Sequence, residues 1–445
     1  MRKIAVLGTG YVGLVSGACF AEIGNEVICC DVDERKIENL KLGKLPIYEP
    51  GLEDLVARNY ENKRLSFTTE IAAAIQNSDI IYIAVGTPMA SDGSADLRYV
   101  RSAAQLIGEN LNGYKVIVNK STVPVGTGKM VEDIIQELVS DRAIRFDVVS
   151  NPEFLREGTA IRDCLNMERA VIGAKSQEAA QIITDLHGPY NTTIIVTSIE
   201  TAEMIKYAAN AFLATKISFI NDIANICEKV GADVKQLSHA IGLDSRIGSK
   251  FLHAGLGFGG SCFPKDTGAL VHIAETVGYD FTLIHSVVET NSRQPLNFVQ
   301  KINDALNGLQ GKTIAILGLA FKPNTNDMRS APSIKVIQEL LKNNASVRAF
   351  DPIAIDEAKE IFGDSILYST DLYETLKNCD ACAILTEWNE VVHMDLSKVK
   401  EELLAPIIID GRNLFDLDFM KEKGFTYHSI GRPSVYATER FVIHE

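Results

Sequence analysis

The feature that most constrains the fold of this chain is a glycine pattern near its start, GTGYVG at residues 8–13. An apolar run at residues 2–7 precedes the pattern, and a run with helical spacing follows it. When such a pattern lies between a strand and a helix, each of its glycines has a structural role. Gly8 allows the tight turn, Gly10 lets the backbone approach a pyrophosphate, and Gly13 lets the helix pack on the strand. The pattern therefore predicts a doubly wound α/β domain that binds a dinucleotide at a helix N-terminus.

A second strand, EVICC, ends at Asp31, at the distance of roughly 20 residues that the dinucleotide fingerprint requires. An acidic side chain there binds ribose hydroxyls and repels a 2′-phosphate, so the predicted cofactor is NAD and not NADP. Two further strands, in residues 79–88 and 115–127, run into Thr-Pro and Ser-Thr-Val-Pro loops. The carboxyl ends of parallel strands place ligand contacts in such loops, although ordinary turn chemistry would also explain them.

The first pattern returns in a weaker form after about Gly308. KTIAILG, which begins at Lys312, repeats the first strand and its turn, and SVRAFDP at residues 346–352 repeats the strand that ends in an aspartate. The repeat lacks the full glycine set, because Lys322 and Pro323 come where the third glycine would be. We expect a second doubly wound domain that binds a nucleotide differently or binds only part of one.

A second motif, FGGSCFPKD at residues 258–266, carries groups for covalent chemistry. Its two glycines let the backbone approach a ligand closely, and Pro264 suits the start of a helix. Cys262 would lie just before that helix and beside Lys265, and both features favour the thiolate nucleophile. Asp266 would lie in the first turn, near enough to move protons. A buried structural cysteine is the alternative, but the clustered glycines, lysine and aspartate favour a covalent catalyst.

A long helical pattern runs from about Glu200 to Val230 and would be roughly 45 Å long. It is apolar on most of its circumference, so we expect it to be buried by several elements or by a second subunit. Lys206 and Asn210 are four residues apart and share one face. A buried lysine must be paired or take part in chemistry, and a simple lysine–carboxylate pair is the alternative to a catalytic role.

The segment FDVVSNPEFLREG, residues 146–158, is another predicted strand followed by a polar loop. Glu153 and Glu157 are four residues apart, so they would share one face if the loop were helical. Taken alone, such a pair is more often a solvated face than part of a site.

Length and composition set the class of protein. A chain of 445 residues is too long for one ordinary core, so two or three domains are expected. The apolar content of 46% and the charged content of 23% are typical of a soluble globular protein. We find no apolar run of about 18 residues and no secretory signal pattern, so no membrane span is expected. The net charge of −14 argues against a nucleic-acid partner.

The eight cysteines follow no regular framework, which predicts a protein of the reducing cytoplasm. Cys379 and Cys382 form a Cys-x-x-Cys pair, but no second pair exists to complete a zinc site. The run around them is apolar, so core packing is the predicted role, and no metal is expected. The tail from about residue 431 is expected to be loosely organised, and no function is assigned to it.

Several of these segments together resemble the motifs of the UDP-glucose 6-dehydrogenases, within the UDP-glucose/GDP-mannose dehydrogenase family. The segments are GTGYVG, STVPVGT, NPEFLREG, the Lys206 and Asn210 pair, GFGGSCFPKD and GLAFKPNTNDMR, in order over essentially the whole chain. The resemblance implies two Rossmann-like doubly wound domains joined by a long central helix, within a helical region that forms a dimer. The implied boundaries are residues 1–198 for an NAD-binding domain, 199–300 for a dimerisation domain with the cysteine loop, and 308–445 for a UDP-sugar-binding domain.

The resemblance further implies a four-electron oxidation of UDP-glucose to UDP-glucuronate with two NAD, through a thiohemiacetal and a thioester on Cys262. GDP-mannose or another nucleotide sugar is the alternative substrate. The implied NAD contacts are Gly8, Thr9, Gly10, Tyr11, Val12, Gly13, Asp31, Lys36, Thr87, Thr122, Glu157, Lys265 and Arg329. The implied UDP-sugar contacts are Glu153, Phe154, Leu155, Arg156, Glu157, Lys206, Asn210, His253, Gly255, Gly257, Phe258, Gly259, Phe321, Lys322 and Arg412, with Arg246 reaching across from a second subunit. The implied catalytic residues are Cys262, Asp266, Lys206, Asn210, Glu153 and Thr122.

Two other functions stay open on the sequence. A nucleotide-sensing or structural binder can use the same fold without turnover, but it would need none of the side chains at 206, 210, 262 and 266. A two-electron alcohol dehydrogenase would not need the thiol. The joint presence of the four side chains favours the four-electron enzyme.

Overall fold

The structure of the protein is a computed structural model, which describes residues 1–90 and 92–437. The chain forms two compact units whose segments alternate along the sequence. The first unit holds Met1–Ala209 and Gly268–Asp280, and the second holds Asn210–Thr267 and the chain from Phe281 onward. Neither unit is therefore a single stretch of sequence. The boundaries after residues 209 and 267 fall inside helices.

The first unit is built on an eight-stranded sheet. Its strands are β1 (Lys3–Leu7), β2 (Glu26–Cys30), β3 (Leu65–Thr68), β4 (Ile80–Ile83), β5 (Lys115–Asn119), β6 (Phe146–Ser150), β7 (Arg169–Ala174) and β8 (Thr193–Thr197). They lie in the order β3-β2-β1-β4-β5-β6-β7-β8, and all pair in parallel except β6 with β7. The first six strands thus have the order of a dinucleotide-binding fold.

The second unit holds a six-stranded sheet that is parallel throughout. Its strands are β9 (Thr313–Leu317), β10 (Ser346–Phe350), β11 (Leu367–Ser369), β12 (Ala381–Ile384), β13 (Ile407–Asp410) and β14 (Thr426–Ser429). They lie in the order β11-β10-β9-β12-β13-β14, which is the order of the first six strands again. The predicted fold class, with two Rossmann-like domains and a long central helix, is confirmed.

Eighteen α-helices connect and cover the strands within the described ranges. They are α1 (Tyr11–Glu22), α2 (Glu34–Lys41), α3 (Leu52–Glu61), α4 (Ile71–Gln76), α5 (Arg98–Asn110), α6 (Thr127–Leu138), α7 (Ala160–Leu165), α8 (Gln177–His187), α9 (Ile199–Val230), α10 (Val234–Gly242), α11 (Phe263–Thr276), α12 (Thr282–Leu306), α13 (Pro332–Lys342), α14 (Ile355–Phe362), α15 (Leu372–Leu376), α16 (Asn389–Val392), α17 (Leu396–Glu402) and α18 (Leu417–Glu422). A short 3-10 helix, Gly188–Tyr190, follows α8.

Both faces are covered at the central strands of each sheet, which explains why these strands read as continuous apolar runs. In β1, Ile4 and Val6 pack into the core on one face, and Ala5 and Leu7 pack into the core on the other. In the second unit, Cys379 and Cys382 are fully buried in the core around β9 and β12, which is the packing role predicted for them. No group of metal-ligating side chains occurs among the described residues.

The long central helix α9 begins one residue before its predicted start and ends at Val230 as predicted. Its predicted burial is incomplete in the single chain, because Phe212, Phe219 and Ile226 are exposed at 65%, 52% and 54%. These three side chains recur every seven residues and so form one apolar stripe along the helix. No helix of the described ranges has the length and apolar character of a membrane span.

The prediction of a loosely organised tail is wrong for residues 431–437. Gly431 donates its N–H to Glu228 at 2.7 Å, and Arg432 is buried beside Asp233. Val435 forms an antiparallel bridge with Tyr427. The rest of the tail, residues 438–445, lies outside the described residues.

Candidate active site

The glycine turn after β1 has the shape that a bound pyrophosphate requires. Gly8 has a φ of +101°, and a Cβ there would lie 2.6 Å from the carbonyl oxygen of Ala84. A Cβ on Gly13 would lie 2.0 Å from the carbonyl oxygen of Gly8, so α1 packs directly on the turn. A Cβ on Gly10 would meet nothing within 4 Å, so the backbone borders open space just where α1 begins. The turn therefore fits a dinucleotide.

Asp31 follows β2 and holds the same turn. Its Oδ2 accepts hydrogen bonds from the N–H and the hydroxyl of Thr9, at 2.9 and 2.6 Å, and from Nζ of Lys36 at 3.0 Å. Its Oδ1 accepts the N–H of Asp33 at 3.2 Å and keeps a lone pair for a ribose hydroxyl. Burial opposes ionisation, but the hydrogen bonds from Thr9 and Lys36 outweigh it and hold the pKa of Asp31 below its usual value.

The loops after β4 and β5, which were predicted to contact NAD, are tied to each other. The hydroxyl of Thr87 donates to the carbonyl oxygen of Thr122 at 2.9 Å. The hydroxyl of Ser121 donates to the carbonyl oxygen of Val85 at 2.7 Å. Thr87 and Thr122 thus lie together at the carboxyl ends of neighbouring parallel strands, where ligands bind in this fold.

Glu203, which the sequence did not single out, anchors the loop after β5 to α9. Its carboxylate accepts the N–H groups of Gly126 and Gly128, both at 2.7 Å, at the start of α6. Burial raises the pKa of Glu203 to about 7, although the two N–H groups act in the opposite direction. Since Glu203 lies one turn before Lys206, the loop that carries Thr122 is fixed to the part of α9 that carries Lys206.

Glu153 and Lys206 form a buried ion pair, with Oε1 of Glu153 2.9 Å from Nζ of Lys206. The loop after β6 is irregular and not helical, and Glu153 is buried, so the solvated-face interpretation is wrong. Oε2 of Glu153 accepts the N–H of Leu155 at 2.6 Å, and Nζ of Lys206 lies 5.5 Å from the ring centre of Phe154. Burial opposes the charge on Glu153, but Lys206 and the hydrogen bond from Leu155 hold its pKa below the usual value.

Glu49 joins this loop to the glycine turn, and nothing in the sequence pattern indicated it. Its Oε2 accepts the hydroxyl of Tyr11 and the N–H of Gly158, the latter at 2.6 Å. Its Oε1 accepts the N–H of Ala160 at 2.7 Å. The segment that holds the predicted NAD contacts is therefore bonded, through one buried carboxylate, to the segment that holds Glu153.

In the second unit, Cys262 lies where the sequence predicted it, immediately before α11. Its carbonyl oxygen accepts the N–H of Asp266 at 2.8 Å, which is the first hydrogen bond of the helix. All eight cysteines fall within the described ranges, and Cys262 alone among them is partly exposed. Its Sγ lies 3.5 Å from the hydroxyl of Ser261. A thiol at a helix N-terminus is a suitable nucleophile.

Asp266 is completely buried in the first turn of α11. Its Oδ2 accepts Nδ2 of Asn210 at 2.6 Å, and its Oδ1 accepts Nζ of Lys265 at 2.6 Å. Lys265, which the sequence placed beside Cys262 as a group that favours the thiolate, forms an ion pair with Asp266. Asn210 and Asp266 are brought together as one hydrogen-bonded pair.

The two glycines before Cys262, which the sequence predicted to lie close to a ligand, also lie close to other parts of the protein. A Cβ on Gly259 would lie 2.4 Å from the carbonyl oxygen of Ser330, and one on Gly260 would lie 2.8 Å from the ring of Phe321. The N–H of Gly260 also donates to the carbonyl oxygen of Arg329 at 2.8 Å. The cysteine loop is thus packed against residues 321–331, which carry other predicted ligand contacts.

Arg412 is held at the end of β13, close to Phe321. Its Nε donates to the carbonyl oxygen of Leu385 at 2.7 Å, and its Nη2 donates to that of Phe321 at 3.0 Å. Nη1 of Arg412 lies 3.5 Å from a Cβ built on Gly255, and Nζ of Lys322 lies 5.2 Å from the ring centre of Phe321. Four of the predicted UDP-sugar residues are therefore neighbours within the second unit.

Three arginines predicted as ligand contacts are largely exposed and paired with a nearby aspartate. The pairs are Arg156–Asp163, Arg246–Asp244 and Arg329–Asp327. Each guanidinium must share or leave its aspartate to hold a phosphate.

In the second sheet, Asp351 occupies the place that Asp31 has in the first, but it is completely buried. Its two carboxylate oxygens accept hydrogen bonds from the N–H groups of Leu319, Ala320, Ile353 and Ala354 and from the indole of Trp388. It therefore has no exposed oxygen for a ribose. The sequence predicted a second domain that binds a nucleotide differently or binds only part of one, and the enclosed Asp351 is compatible with both alternatives.

Three family models match the chain in order. They are the NAD binding domain, the central domain and the UDP binding domain of the UDP-glucose/GDP-mannose dehydrogenase family, at residues 2–191, 200–293 and 315–417. The chain belongs to this family. NAD is therefore its cofactor, and the glycine turn and Asp31 lie in the domain that the family uses to bind it. Family membership also makes the chain a dehydrogenase.

Relatives agree over nearly the full length. The UDP-glucose 6-dehydrogenase TuaD of Bacillus subtilis is 63% identical over 439 residues, which are 99% of this chain and 95% of the relative. A UDP-glucose dehydrogenase from Pyrobaculum islandicum has a similar solved structure, with a TM-score of 0.91, 38% identity and coverage of 97% and 98% of the two chains. A GDP-mannose dehydrogenase from Pseudomonas aeruginosa has a TM-score of 0.54 and 31% identity, with coverage of 93% and 97%.

Proposed function

We propose that the chain catalyses the NAD-dependent, four-electron oxidation of UDP-glucose to UDP-glucuronate. The observation that carries this proposal is Cys262, the one partly exposed cysteine, placed at the start of the helix that holds Asp266. A two-electron dehydrogenase needs no such thiol, and a binder needs neither the thiol nor the buried Asn210–Asp266 pair. The UDP-glucose dehydrogenases that are similar over the full chain support the choice of sugar.

In the first oxidation, Asp266 accepts the proton of the carbon-6 hydroxyl through a water molecule, with help from Lys206. When bound, NAD supplies the hydride acceptor for each of the two oxidations. Asp266 is completely buried among hydrogen-bond donors, so its carboxylate is fixed in place before substrate arrives. The ammonium of Lys206 and the amide of Asn210 stabilise the developing alkoxide, and each donor of this kind is typically worth about 3 kcal/mol.

In the second oxidation, the thiolate of Cys262 adds to carbon 6 of the aldehyde and forms a thiohemiacetal. Loss of hydride from that carbon gives a thioester, so the aldehyde never leaves the enzyme. Lys206 and Asn210 again stabilise negative charge on the oxygen of carbon 6. Thr122 lies in the loop that Glu203 fixes to α9 and contributes to holding the reacting groups in place.

In the final step, water attacks the thioester, the C–S bond breaks, and carboxylate and thiolate are released. We assign Glu153 to orient this water and to accept its proton. Its lowered pKa keeps Glu153 ionised at neutral pH, so it accepts hydrogen bonds and donates none. The ion pair with Lys206 sets the direction in which its carboxylate points.

We also propose a homodimer, formed on the apolar stripe of Phe212, Phe219 and Ile226 along α9. Burying side chains of this size on a second copy would remove the exposed apolar surface from water. Arg246 would then act on the substrate bound by the other subunit. The domain boundaries at 198 to 199 and at 300 to 308, and a cytoplasmic location, stay predictions.

Stoichiometry and trapping test the proposed reaction. Two NADH per UDP-glucose consumed is the expected ratio, and one NADH per sugar would overturn the four-electron assignment. Glu153→Gln should show a burst of two NADH per site followed by a slow rate, with a nucleotide-sugar acid adduct on Cys262 by intact-mass spectrometry. Cys262→Ser should give no adduct and should be blocked in the second oxidation. If Glu153→Gln shows neither burst nor adduct, its hydrolytic role is wrong.

GDP-mannose is the second candidate substrate, because the family includes enzymes for both sugars. The higher TM-score to a UDP-glucose dehydrogenase favours UDP-glucose. Steady-state rates with the two nucleotide sugars at equal concentration decide between them. A higher kcat/KM for GDP-mannose would replace the substrate and leave the mechanism unchanged.

A further inference from the structure

Three buried or half-buried amide side chains bond the backbone of the loop that leads to Cys262, residues 253–260, and a fourth amide bonds one of the three. Asn221 and Asn225 lie on α9, and Asn291 and Gln294 lie on α12. We refer to these four residues as the amide clamp. They were absent from every set of predicted site residues.

The clamp occupies both hydrogen-bonding groups of two residues in the loop. Oδ1 of Asn221 accepts the N–H of Gly255 at 2.8 Å, and Nε2 of Gln294 donates to the carbonyl oxygen of Gly255 at 2.9 Å. Asn291 pairs with both groups of Phe258, through Oδ1 at 2.7 Å and Nδ2 at 3.0 Å. One side chain thus gives Phe258 the two hydrogen bonds that a neighbouring strand would give.

The orientation of the clamp is itself fixed. Nδ2 of Asn225 donates to Oε1 of Gln294 at 3.0 Å, which leaves Nε2 of Gln294 to face the loop. Asn291 and Gln294 are three residues apart and therefore project from the same side of α12. A Cβ on Gly257 would lie 2.5 Å from Oδ1 of Asn291, so the glycine is needed for the clamp to close.

A purely structural role does not explain so many buried amides. Asn221 and Gln294 are exposed at 0% and 1%, and Nδ2 of Asn221 has no hydrogen-bond partner in the part of the chain that the structure describes. An unsatisfied buried donor is unfavourable, whereas an apolar side chain would pack there without that cost. The bonds from Asn221 and Gln294 to Gly255 fix the backbone of the loop, which an apolar side chain could not do.

We propose that Asn221, Asn291 and Gln294 are positioning residues, which hold the loop from 253 to 260 in the conformation that binds the nucleotide sugar and presents Cys262. The proposal rests on the proposed function for the identity of the ligand. The clamp acts on backbone groups of the loop and not on the substrate itself. Its loss should therefore weaken sugar binding and loosen the loop, while NAD binding stays the same.

Asn291→Leu is the principal variant, since it removes both bonds to Phe258 and keeps a similar volume. Asn291→Asp is the conservative variant, because a carboxylate still accepts the N–H of Phe258 but cannot donate to its carbonyl. Asn303→Leu is the matched control on α12, where the amide makes only a long, exposed contact to Asp304 among the described residues. We expect Asn291→Leu to raise the KM for UDP-glucose about tenfold, Asn291→Asp by less, and the KM for NAD to stay unchanged.

Two readouts do not depend on turnover. Amide hydrogen exchange of the peptide that contains residues 253–260 should be faster in Asn291→Leu than in the wild type, and unchanged in Asn303→Leu. Alkylation of Cys262 by iodoacetamide should also be faster, and it is selective because all other cysteines are buried. If Asn291→Leu fails to fold, Gln294→Met is used in its place. It removes the hydrogen bond to the carbonyl oxygen of Gly255, and the same exchange and alkylation rates are compared with the wild type.

The outcomes separate the hypothesis of the amide clamp from the hypothesis that UDP-glucose is the substrate. Faster exchange and faster alkylation support the clamp even if UDP-glucose proves not to be the substrate. A folded Asn291→Leu with unchanged exchange and alkylation overturns the proposal, whatever the activity assay shows. Raised KM values for UDP-glucose and NAD alike would also overturn it, because they indicate general damage to the fold.

Discussion

The turns after β1 and β9 are built alike as far as their first glycine. Gly8 donates its N–H to the carbonyl oxygen of Cys30, and Gly318 donates to that of Phe350, both at 2.8 Å. Their φ angles are +101° and +97°. In both sheets the next strand is followed by an aspartate, and in both the aspartate accepts N–H groups of the turn. The difference lies in what comes after the turn.

In the first sheet α1 begins at Tyr11, directly after the turn, and Asp31 keeps an oxygen for a ligand. In the second sheet the next helix begins only at Pro332, and Asp351 is enclosed by donors. A helix N-terminus and an accessible carboxylate are what a dinucleotide needs. The strand order is common to both sheets and does not by itself create the site.

The largest expected effect is that of Gly13→Ala. Its Cβ would lie 2.0 Å from the carbonyl oxygen of Gly8, so α1 must move away from the turn. Overpacking of this kind costs roughly 1–3 kcal/mol or more, and we expect NAD affinity to fall about 100-fold in titration calorimetry. Pro323→Ala, at the corresponding place in the second sheet, should leave NAD affinity unchanged. Equal affinity in Gly13→Ala and wild type would remove the basis of the comparison.

Asp351→Asn should mainly affect stability. An amide in place of the carboxylate turns an NH2 group toward donors such as the N–H of Leu319 and the indole of Trp388. We expect a loss of about 3 kcal/mol in the free energy of unfolding, since removing one side of a buried charged network is costly. Urea unfolding followed by the fluorescence of Trp388, the single tryptophan, measures it. Asp31→Asn is the matched control and should cost less, and equal losses would contradict the difference drawn between the aspartates.

Asp31→Ala should change cofactor choice more than stability. It removes the partner of the ribose hydroxyls and the charge that repels a 2′-phosphate. We expect the ratio of kcat/KM for NAD to that for NADP to fall by about tenfold, in steady-state assays with saturating sugar. An unchanged ratio would refute the role of Asp31.

Lys36→Ala should have the smallest effect. Lys36 pairs with Asp31 at 3.0 Å, and its side chain is 30% exposed, so solvent weakens the interaction. We expect the KM for NAD to rise about twofold to threefold, with a smaller difference at high salt. Asp356, at the equivalent place in the second sheet, is exposed, and Asp356→Ala should not alter the KM for NAD. A difference that grows with salt would show that Lys36 does not act through charge.

The parts that the sequence predicted well depend on local patterns. The glycine turn, Asp31, the start of α11 after Cys262 and the length of α9 all follow from residues within a few turns of one another. The second sheet was predicted for the same reason, because it repeats the strand and turn of the first. Strand alternation and helix spacing are short-range properties, and a single sequence displays them.

The parts that the sequence missed depend on contacts between distant residues. Glu49 accepts the N–H of Gly158 across a separation of 109 residues, and Asn221 accepts that of Gly255 across 34. No spacing rule links such pairs. The loop at Glu153 was interpreted by helical spacing. In the structure the carboxylate of Glu153 accepts the N–H of Leu155, two residues later, and this is the pattern of a turn and not of a helix. Gly259 was predicted to contact a ligand, and the sequence could not show that the backbone of Ser330 also approaches it.

The alternation of the two units along the chain limits how relatives of this protein can be recombined. A junction after residue 209 or after residue 267 cuts a helix in two, so the halves of α9 and α11 would come from different parents. A junction placed in the segment from 307 to 312, between α12 and β9, would cut no helix and no strand. We expect functional chimeras to join their parents in this segment, with parents alike at the positions of α9 and α12 that share the core of the second sheet, such as Ala224 and Phe298.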